Sequence, residues 1–348
     1  MNIIYYLNLS LKYKKIFIIF LFIFFLITNN IYKNVIPKIS IYMPIFNKDQ
    51  YLMKSIKSIQ MQSLKDIEII AVNDYSNDNS FEILNKLSKK DSRIKVINNT
   101  HNYGLLYSRA MGILHSSSKY LMNVDPDDEL NNKNDLEYLY NIINKVKVDI
   151  ISFGYLDKNK IKLRCQNINK MVFQPKLFNY AFNSKTNIIN DFVLWNKLVK
   201  RSLLIKVFKI FKKRIYSKNK WNYGEDTIWS ILLNKYAKSM FCLNRTIYLY
   251  QTNNESLMNN RGNIIELKNR IYIFEMYIQI LTKKKELKYI NAHILQFINL
   301  ISNENLLSLI KKNKVIKTKI IKILLTSIQK YHFSIDIIEK INEFIKKI

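Results

Sequence analysis

Apolar runs of strand length alternate with amphipathic helical segments in the first half of the chain, and this alternation limits the folds open to it. Four runs have the length and composition of strands: Ile39–Phe46, Asp66–Asp74, Arg93–Asn99 and Tyr120–Val124. Between the first two, Leu52, Ile56 and Ile59 recur at the spacing of one helix face. Such alternation predicts an α/β fold with a mostly parallel sheet and helices on both of its faces.

Polar residues follow each of these strands at the same end. The four groups are Asn47–Asp49, Asn73–Asp74, Asn98–Asn102 and Asp125–Glu129. Because the carboxyl ends of parallel strands meet at one edge of a sheet, we expect the groups to lie close together. Open α/β sheets bind ligands in the crevice beyond that edge, so the sequence predicts a ligand site there.

The fourth group, in "YLMNVDPDDEL", is strongly acidic although the chain has 56 Lys and Arg against 26 Asp and Glu. Neighbouring carboxylates raise one another's pKa unless a cation lies between them. Their oxygens suit Mg²⁺ or Mn²⁺, which also bind phosphate, so we expect a cation site that holds a diphosphate. The alternative is that Asp127 or Asp128 caps a following helix. An EF-hand is excluded, since "DPDDELNNKNDL" lacks the required glycine and final glutamate.

The formal charge of +30 does not by itself indicate nucleic acid as a partner. The basic residues are mostly lysines scattered among Ile and Asn, and the aromatic residues are not interleaved with Arg in a recognisable module. We therefore expect no nucleic-acid partner. Two cysteines and four histidines without Cys-x-x-Cys also exclude a disulfide framework and make a zinc site improbable.

An apolar run near the amino terminus predicts a membrane segment. Ile16–Thr28 is almost uninterrupted in its apolar character, follows three nearby lysines, and reaches a marginal spanning length when extended to Tyr32. The basic flank would stay cytoplasmic, and no small-residue cleavage site follows, which favours an uncleaved anchor over a signal peptide. A buried core helix is the alternative. We expect a single-pass membrane protein with a cytoplasmic N-terminus. If the cell is eukaryotic, this topology would place it in the Golgi or endoplasmic reticulum.

The pattern of the chain divides it into three regions. Residues 1–36 form the N-terminal tail and the predicted anchor. Residues 37–257 form one globular domain, in which the alternation weakens after residue 148. Residues 258–348 are rich in Ile, Leu and Lys at helical spacing, which predicts a helical C-terminal extension. Its basic face is expected to be solvated, with contact to a membrane surface as the alternative.

Six fragments occur in an order and spacing that resemble the family 2 glycosyltransferases of bacterial type. They are the stretch from "ISIYMPIFNKDQ" to "NDYSNDNSFEIL", then "NYGLLYSRAMGI", "KYLMNVDPDDEL", "LWNKLVKRSLL", "GEDTIWSILL" and "IYLYQTNNESL". The resemblance covers about residues 39–257. It implies a Rossmann-like GT-A fold, with residues 37–148 as the nucleotide-sugar half and 149–257 as the acceptor half. It also implies metal-dependent inverting transfer, with Mn²⁺ or Mg²⁺, from a nucleotide sugar (most commonly a UDP-sugar) to a glycan, lipid or protein hydroxyl.

The resemblance assigns donor binding to residues that follow the first two strands. The family's Pro-x-Tyr-Asn lies against the base and corresponds here to Pro44, Phe46 and Asn47, so stacking is retained but a phenol hydrogen bond is not. Asp49 stands where the family has Glu. Asp74 matches the aspartate that hydrogen-bonds the base, with a role as a turn residue as the alternative.

Arg109 matches the arginine of the family's Ala-Arg-Asn-x-Gly, whose fork could reach the base or the diphosphate. The family's Asn is Ala110 here, and a surface salt bridge is the alternative for Arg109. Asp125 and Asp127 look like the Asp-x-Asp signature, in which one carboxylate holds the ribose and the other the metal. Asp128 can substitute for either, so the three are predicted together as the metal site.

The acceptor half supplies the other predicted roles. Asp226, with Glu225 second, resembles the acidic pair that provides the general base, and the start of a helix is a compatible alternative. Trp195 and Asn196 would help to form the acceptor surface, and Lys197 would offset the leaving-group charge. An ordinary packed position is the alternative for Trp195.

Two other functions share the predicted architecture. One is a membrane-anchored binding protein on a degenerate transferase scaffold, and the presence of all the acidic residues argues against it. The other is a different metal-dependent nucleotide enzyme, such as a nucleotidyltransferase, which would leave the "GED" and "WNKLVKR" fragments unexplained.

Overall fold

The computed structural model describes residues 18–20, 36–157, 160–162, 169–174, 177, 182–183, 188–189, 193–215, 224–251, 263–280, 294–295, 297–299, 301–302, 304–330, 333 and 335–348. The chain divides into two compact units, Met1–Pro37 and Lys38–Ile348. Residues 18–20 of the first unit are helical and exposed, and most of the predicted membrane anchor lies outside the described residues. In the described part of the chain, every helix is too short or too polar to cross a bilayer.

Most strands of the second unit belong to one sheet. The described strands are β1 (Ile39–Ile45), β2 (Ile67–Asn73), β3 (Ile94–Asn98), β4 (Tyr120–Asn123), β5 (Glu129–Leu130), β6 (Ile150–Asp157), β7 (Lys160–Lys162), β8 (Lys170–Phe173), β9 (Phe182–Asn183), β10 (Ile188–Ile189), β11 (Lys197–Lys200) and β12 (Ser239–Tyr250). Their order is β3-β2-β1-β4-β11-β6-β12-β5, with β7 beside β6 and β8 beside β12, while β9 and β10 pair separately.

The nucleotide half of the sheet is parallel and the other half is mixed. Strand β1 pairs in parallel with β2 and β4, and β2 pairs in parallel with β3. Strand β11 runs antiparallel between β4 and β6, and β6 is parallel to β12. The four predicted strands therefore end at one edge, which confirms the predicted α/β architecture with a mixed sheet.

Helices flank both faces of this sheet. The described helices are α1 (Asp49–Gln60), α2 (Ser80–Lys90), α3 (Leu105–His115), α4 (Asp135–Val146), α5 (Arg201–Ile215), α6 (Glu225–Tyr236), α7 (Ile264–Ile280), α8 (Glu304–Lys312), α9 (Lys314–Lys330) and α10 (Ile335–Lys347). Helices α1, α2 and α4 share a core with Ile41 and Met43 of β1. Helices α3, α5 and α6 share another with Tyr42, because successive strand residues point to opposite faces.

A glycine brings α3 close to the sheet. A Cβ atom on Gly112 would lie 2.8 Å from the Cβ of the buried Tyr42, a distance that real Cβ atoms essentially never show. Helix α3 can therefore pack at this distance only with glycine here. Arg109 precedes Gly112 by three residues and lies on the same side of the helix.

The described helices after residue 262 have a core of their own. Side chains of α7, α8, α9 and α10 pack together, among them Leu267, Ile310, Ile320 and Ile341, and they include Ile231 of α6 in the same cluster. The chain is helical where the sequence predicts a C-terminal extension, and the contact through Ile231 ties these helices to the domain that carries α6.

Candidate active site

Hydrogen bonds join the loop after β1 to the loop after β2. Asn47 has a positive φ of 50°, and its side-chain oxygen accepts a hydrogen bond from the backbone N–H of Asn77 (2.9 Å). The carboxylate of Asp49 accepts one from the side-chain amide of Asn79 (3.2 Å). The side chains of Asn47 and Asp49 thus hold the two loops together, and their predicted contact with a nucleotide stays a prediction.

Exposed aromatic rings lie at the carboxyl ends of the first three strands. Pro44 is buried within β1, whereas Phe46 just beyond the strand is 42% exposed. Tyr75 is 52% exposed and stacks on His101 with ring centroids 6.2 Å apart, and Tyr103 meets the other side of His101 at 5.9 Å. This edge of the sheet therefore offers ring faces on which a base can stack.

The Asp74 carboxylate is buried beneath this edge. It accepts hydrogen bonds from the side-chain amide of Asn99 (2.8 Å) and from the backbone N–H groups of Tyr103 (2.9 Å) and Gly104 (2.7 Å). Gly104 precedes the first residue of α3. Asp74 thus fixes the loop that leads into α3, while its predicted hydrogen bond to a base stays a prediction.

Two carboxylates that follow β4 are paired with cations from other elements. Asp125 Oδ1 accepts hydrogen bonds from the side-chain amide of Asn123 (2.7 Å) and from the guanidinium of Arg109 (3.3 Å). Asp127 Oδ2 lies 2.9 Å from Nζ of Lys48, and both side chains of this pair are partly exposed. The chain therefore stabilises the acidic stretch with positive charges from the start of α1 and from α3.

Asp128 is buried between β4 and β12. Its carboxyl accepts hydrogen bonds from the hydroxyl of Tyr248 (2.8 Å) and from the backbone N–H of Gln251 (2.8 Å). Burial raises the pKa of Asp128 well above its usual range, and the negative charges of Asp125 and Asp127 raise it further. The structure thus gives Asp128 two hydrogen-bond donors, and its predicted metal-binding role stays a prediction.

One buried guanidinium joins the Asp-x-Asp stretch to the acidic pair of α6. Arg109 is 2% exposed, and its Nη1 lies 2.6 Å from Oε1 of Glu225 and also pairs with Asp226. Its Nη2 lies 3.3 Å from Oδ1 of Asp125. The structure therefore brings together four predicted site residues, of which Arg109 and Glu225 are 116 positions apart in sequence. Arg109 is buried behind these carboxylates, and its predicted contact with a base or diphosphate stays a prediction.

The first turn of α6 presents its two carboxylates differently. The side chain of Glu225 is 5% exposed and that of Asp226 is 20% exposed. Burial raises the pKa of Glu225, the positive charge of Arg109 opposes that rise, and Asp125 adds to it. Asp226 is therefore the member of the pair that solvent or a substrate can reach. Gly224, in the left-handed conformation with φ of 73°, sets the direction in which the helix begins.

The residues predicted for the acceptor surface lie inside the domain. Trp195 is 5% exposed and stacks between Tyr248 and Tyr250, with ring centroids at 4.8 and 5.5 Å. Asn196 and Lys197 are fully buried, and the Lys197 ammonium donates hydrogen bonds to the Asn196 side chain (2.8 Å) and to a backbone carbonyl. This packing matches the alternative stated for Trp195, and contact of all three with an acceptor or diphosphate stays a prediction.

The described carboxylates fit a cation that brings phosphate oxygens with it. Among the residues that the structure describes, no group of three His, Cys, Asp or Glu side chains is placed to hold a metal ion. Mg²⁺ bound with phosphates takes only one or two carboxylates from a protein. Asp127, partly exposed at the edge, would suit this role, and Asp125 precedes it by two residues.

Three contacts of the site were not predicted from the sequence. Lys48 pairs with Asp127, and Tyr248 and Gln251 hold Asp128. The fragment "IYLYQTNNESL" contains Tyr248 and Gln251, so the resemblance marked their segment without a role for either side chain. Lys48 lies within the first polar group, but nothing in the sequence pairs it with a particular carboxylate.

Comparison with known proteins agrees with this arrangement. The family model described as "Glycosyl transferase family 2" matches residues 40–208, which include β1 to β4, Arg109 and the Asp-x-Asp stretch. The chain belongs to glycosyltransferase family 2. The family model ends before α6, which carries the acidic pair of this glycosyltransferase.

Relatives and solved structures extend the likeness beyond that segment. The chain is 23% identical to the glycosyltransferase GlyG of Streptococcus pneumoniae over 251 residues, which is 69% of this chain and 79% of GlyG. Its fold is similar to that of Staphylococcus aureus TarS 1–349 in complex with UDP-GlcNAc, with a TM-score of 0.57, 14% identity and coverage of 82% and 83%. It is also similar to the Pyrobaculum calidifontis mannosyltransferase PcManGT in complex with GDP-Man and Mn²⁺, with a TM-score of 0.50, 12% identity and coverage of 88% and 79%. These likenesses confirm the GT-A fold.

Proposed function

We propose that this glycosyltransferase is a metal-dependent inverting enzyme that moves a sugar from a nucleotide-diphosphate sugar to a hydroxyl group. One observation carries the proposal. The Arg109 fork binds Asp125 of the Asp-x-Asp stretch on one side and Glu225 and Asp226 of α6 on the other. A donor diphosphate at the first group and an acceptor hydroxyl at the second would therefore meet in one pocket.

The exposure of the acidic pair favours Asp226 as the general base. An inverting transfer needs a base that takes the proton from the acceptor hydroxyl as that oxygen attacks the anomeric carbon. The bond from the anomeric carbon to the diphosphate oxygen breaks on the opposite face of the sugar. Asp226 is the more exposed member of the pair, whereas Glu225 is nearly enclosed and its pKa is raised by burial. The ion pair with Arg109 keeps Asp226 in place.

The donor edge supports a nucleotide with a stacking base. The exposed ring of Phe46 follows β1, at the edge where Asp125 and Asp127 also lie. A divalent cation, when bound, offsets the charge that develops on the departing diphosphate. Asp127 would hold it together with phosphate oxygens, and Asp125 lies close enough in sequence to take part. The TarS complex with UDP-GlcNAc and the mannosyltransferase complex with Mn²⁺ support a UDP-sugar as donor and Mn²⁺ or Mg²⁺ as cofactor.

The acceptor and the location belong to the same proposal. We infer that the acceptor is a hydroxyl of a glycan, lipid or protein, and that the apolar run Ile16–Thr28 anchors the enzyme in a membrane with its N-terminus in the cytoplasm. The apolar length and the preceding lysines support the anchor. Extraction of cell membranes with alkaline carbonate tests it: the chain should stay in the pellet, and release into the supernatant would contradict an anchor.

Nucleotide binding tests the catalytic proposal. Calorimetric titration of the full chain with UDP and with GDP, each with and without Mn²⁺, should show binding that requires the metal. Asp127→Ala should reduce this binding at least tenfold, since a hydrogen bond or contact to a charged group contributes about 1.5–3 kcal/mol. Sugar transfer should also be lost.

The neighbouring carboxylate provides a matched control. Glu129→Ala removes the same charge two residues away, where the similarly exposed Glu129 pairs with Lys54, and should leave binding unchanged. Equal affinity in Asp127→Ala and the native protein would refute the role of Asp127. Failure of the folded native protein to bind either nucleotide would instead favour a degenerate scaffold.

A further inference from the structure

We propose that Lys48 competes with the divalent cation for the Asp127 carboxylate, so that this lysine sets the metal concentration at which the donor binds. The observation is the ion pair between Lys48 Nζ and Asp127 Oδ2, 2.9 Å apart, with the side chains 17% and 18% exposed. The inference rests on the proposed function, because it takes Asp127 as the residue that holds the metal.

The neighbouring carboxylates leave Asp127 as the contested position. Asp125 is engaged by Arg109 and Asn123, and Asp128 is buried with its carboxyl on Tyr248. A cation that approaches the exposed edge therefore meets the Asp127 carboxylate with an ammonium already 2.9 Å away. Two positive ions at one carboxylate repel each other, so the ammonium weakens metal binding for as long as it stays.

The backbone of Lys48 has a separate structural role that a substitution would spare. Its N–H donates a hydrogen bond to Oγ of Ser80 (3.0 Å), and its carbonyl accepts one from the N–H of Leu52 (3.0 Å) at the start of α1. Nζ also lies 5.5 Å from the ring centre of Tyr51. Lys48→Met keeps both backbone bonds and the aliphatic packing, and removes only the ammonium.

The same helix provides a matched control. Lys54 forms an ion pair with Glu129 at 2.6 Å, but its side chain is 71% exposed and its partner lies outside the proposed metal position. Lys54→Met changes the net charge by the same amount as Lys48→Met. A general effect of charge on Mn²⁺ affinity would therefore appear in both variants. Competition at Asp127 would change the affinity only in Lys48→Met.

The deciding experiment measures Mn²⁺ binding without any nucleotide. Free Mn²⁺ is quantified by electron paramagnetic resonance during titration of the full chain as native protein, Lys48→Met, Lys54→Met and Lys48→Met/Asp127→Asn. Lys48→Met should bind Mn²⁺ about two- to fivefold more tightly than the native protein, the change expected when one partly exposed ion pair no longer competes. Lys54→Met should match the native protein, and the double variant should lose the gain.

Each outcome decides the question. Equal Mn²⁺ affinity in Lys48→Met and the native protein would overturn the proposal, as would the same gain in Lys54→Met or a gain that survives in the double variant. A parallel titration of Lys48→Met with UDP separates this inference from the proposed function. Absence of UDP binding with a clear gain in Mn²⁺ affinity would refute the donor assignment and leave the competition between Lys48 and metal in place.

Discussion

Replacement of Arg109 by Met should destabilise the protein more than the loss of any surface charge. The side chain is 2% exposed and pairs with Asp125, Glu225 and Asp226, so its removal leaves buried and half-buried carboxylates without their cation. Breaking a buried ion pair by removing one partner costs about 3–5 kcal/mol. Methionine keeps much of the volume, so this cost comes mainly from the charge and its hydrogen bonds.

The cost should also depend on pH, with a sign that follows from Glu225. Burial raises the pKa of Glu225 above its ordinary value of 4.5, and the charge of Arg109 opposes that rise. In Arg109→Met the opposition is gone, so the pKa rises further. The folded variant then keeps a proton that the unfolded chain has released, and its stability falls as the pH rises above 4.5. Each pH unit within that window is worth about 1.4 kcal/mol.

Urea unfolding at pH 5 and pH 8, followed by the fluorescence of the buried Trp229, measures both effects. We expect Arg109→Met to lose about 3–5 kcal/mol at pH 8 and at least about 1 kcal/mol less at pH 5. Arg93→Met is the control, because Arg93 pairs with Asp91 at the surface and holds the pKa of Asp91 at about 2. Asp91 stays charged at both pH values, so the control should lose about 1 kcal/mol at each.

Two results would refute this reasoning. A loss below about 1 kcal/mol at pH 8 would mean that the carboxylates reach water or another cation when Arg109 is absent. An equal loss at pH 5 and pH 8 would mean that Glu225 does not retain a proton in the variant. Either result would also remove the argument that Arg109 positions Asp226.

Two glycine substitutions test the packing that places these residues. Gly112→Ala should destabilise the protein by about 1 kcal/mol in urea unfolding, because overpacking against Tyr42 costs about 1–3 kcal/mol and the gain in helix propensity offsets only about 1 kcal/mol of it. Equal or higher stability would show that α3 can move away from β1. Gly224→Ala should destabilise the protein by about 1–2 kcal/mol, because φ is 73° at this position and a Cβ would lie 2.6 Å from Ile273. The substitution should also lower kcat more than it raises KM for the donor. An unchanged kcat would show that the start of α6 does not affect the transfer step.

Much of the nucleotide half of the fold was predictable because its signals are local. The spacing of Leu52, Ile56 and Ile59 predicts the buried face of α1, and the apolar runs predict β1 to β4. The position of β11 was not predictable in this way. It lies antiparallel between β4 and β6, and its partner Met122 is 76 residues before Leu198 in the chain. A pairing over such a separation leaves no periodic pattern in either strand.

The site was predictable in position but less so in its contacts. Parallel strands must end at one edge, so the polar groups after β1, β2, β3 and β4 were expected to meet there. The partner of a charged residue is set by packing between distant elements. Arg109 is separated from Glu225 by 116 positions, and Asp128 from Tyr248 by 120. The sequence motifs therefore correctly placed the acidic residues near one edge of the sheet. Only the structure showed which cation pairs with each of them.

The surroundings of Lys197 were also not predictable from the sequence. The resemblance gives this lysine a role at the diphosphate, which stays a prediction, and the structure places it at the start of β11, fully buried. The structure pairs two acidic residues of the edge with Lys48 and Arg109. Under the proposed function, a donor diphosphate and its metal would reach carboxylates that already have positive partners. Binding would then require an exchange of ion pairs. The partly exposed Lys48 would leave Asp127, whereas the enclosed Arg109 would keep its ion pair with Asp226.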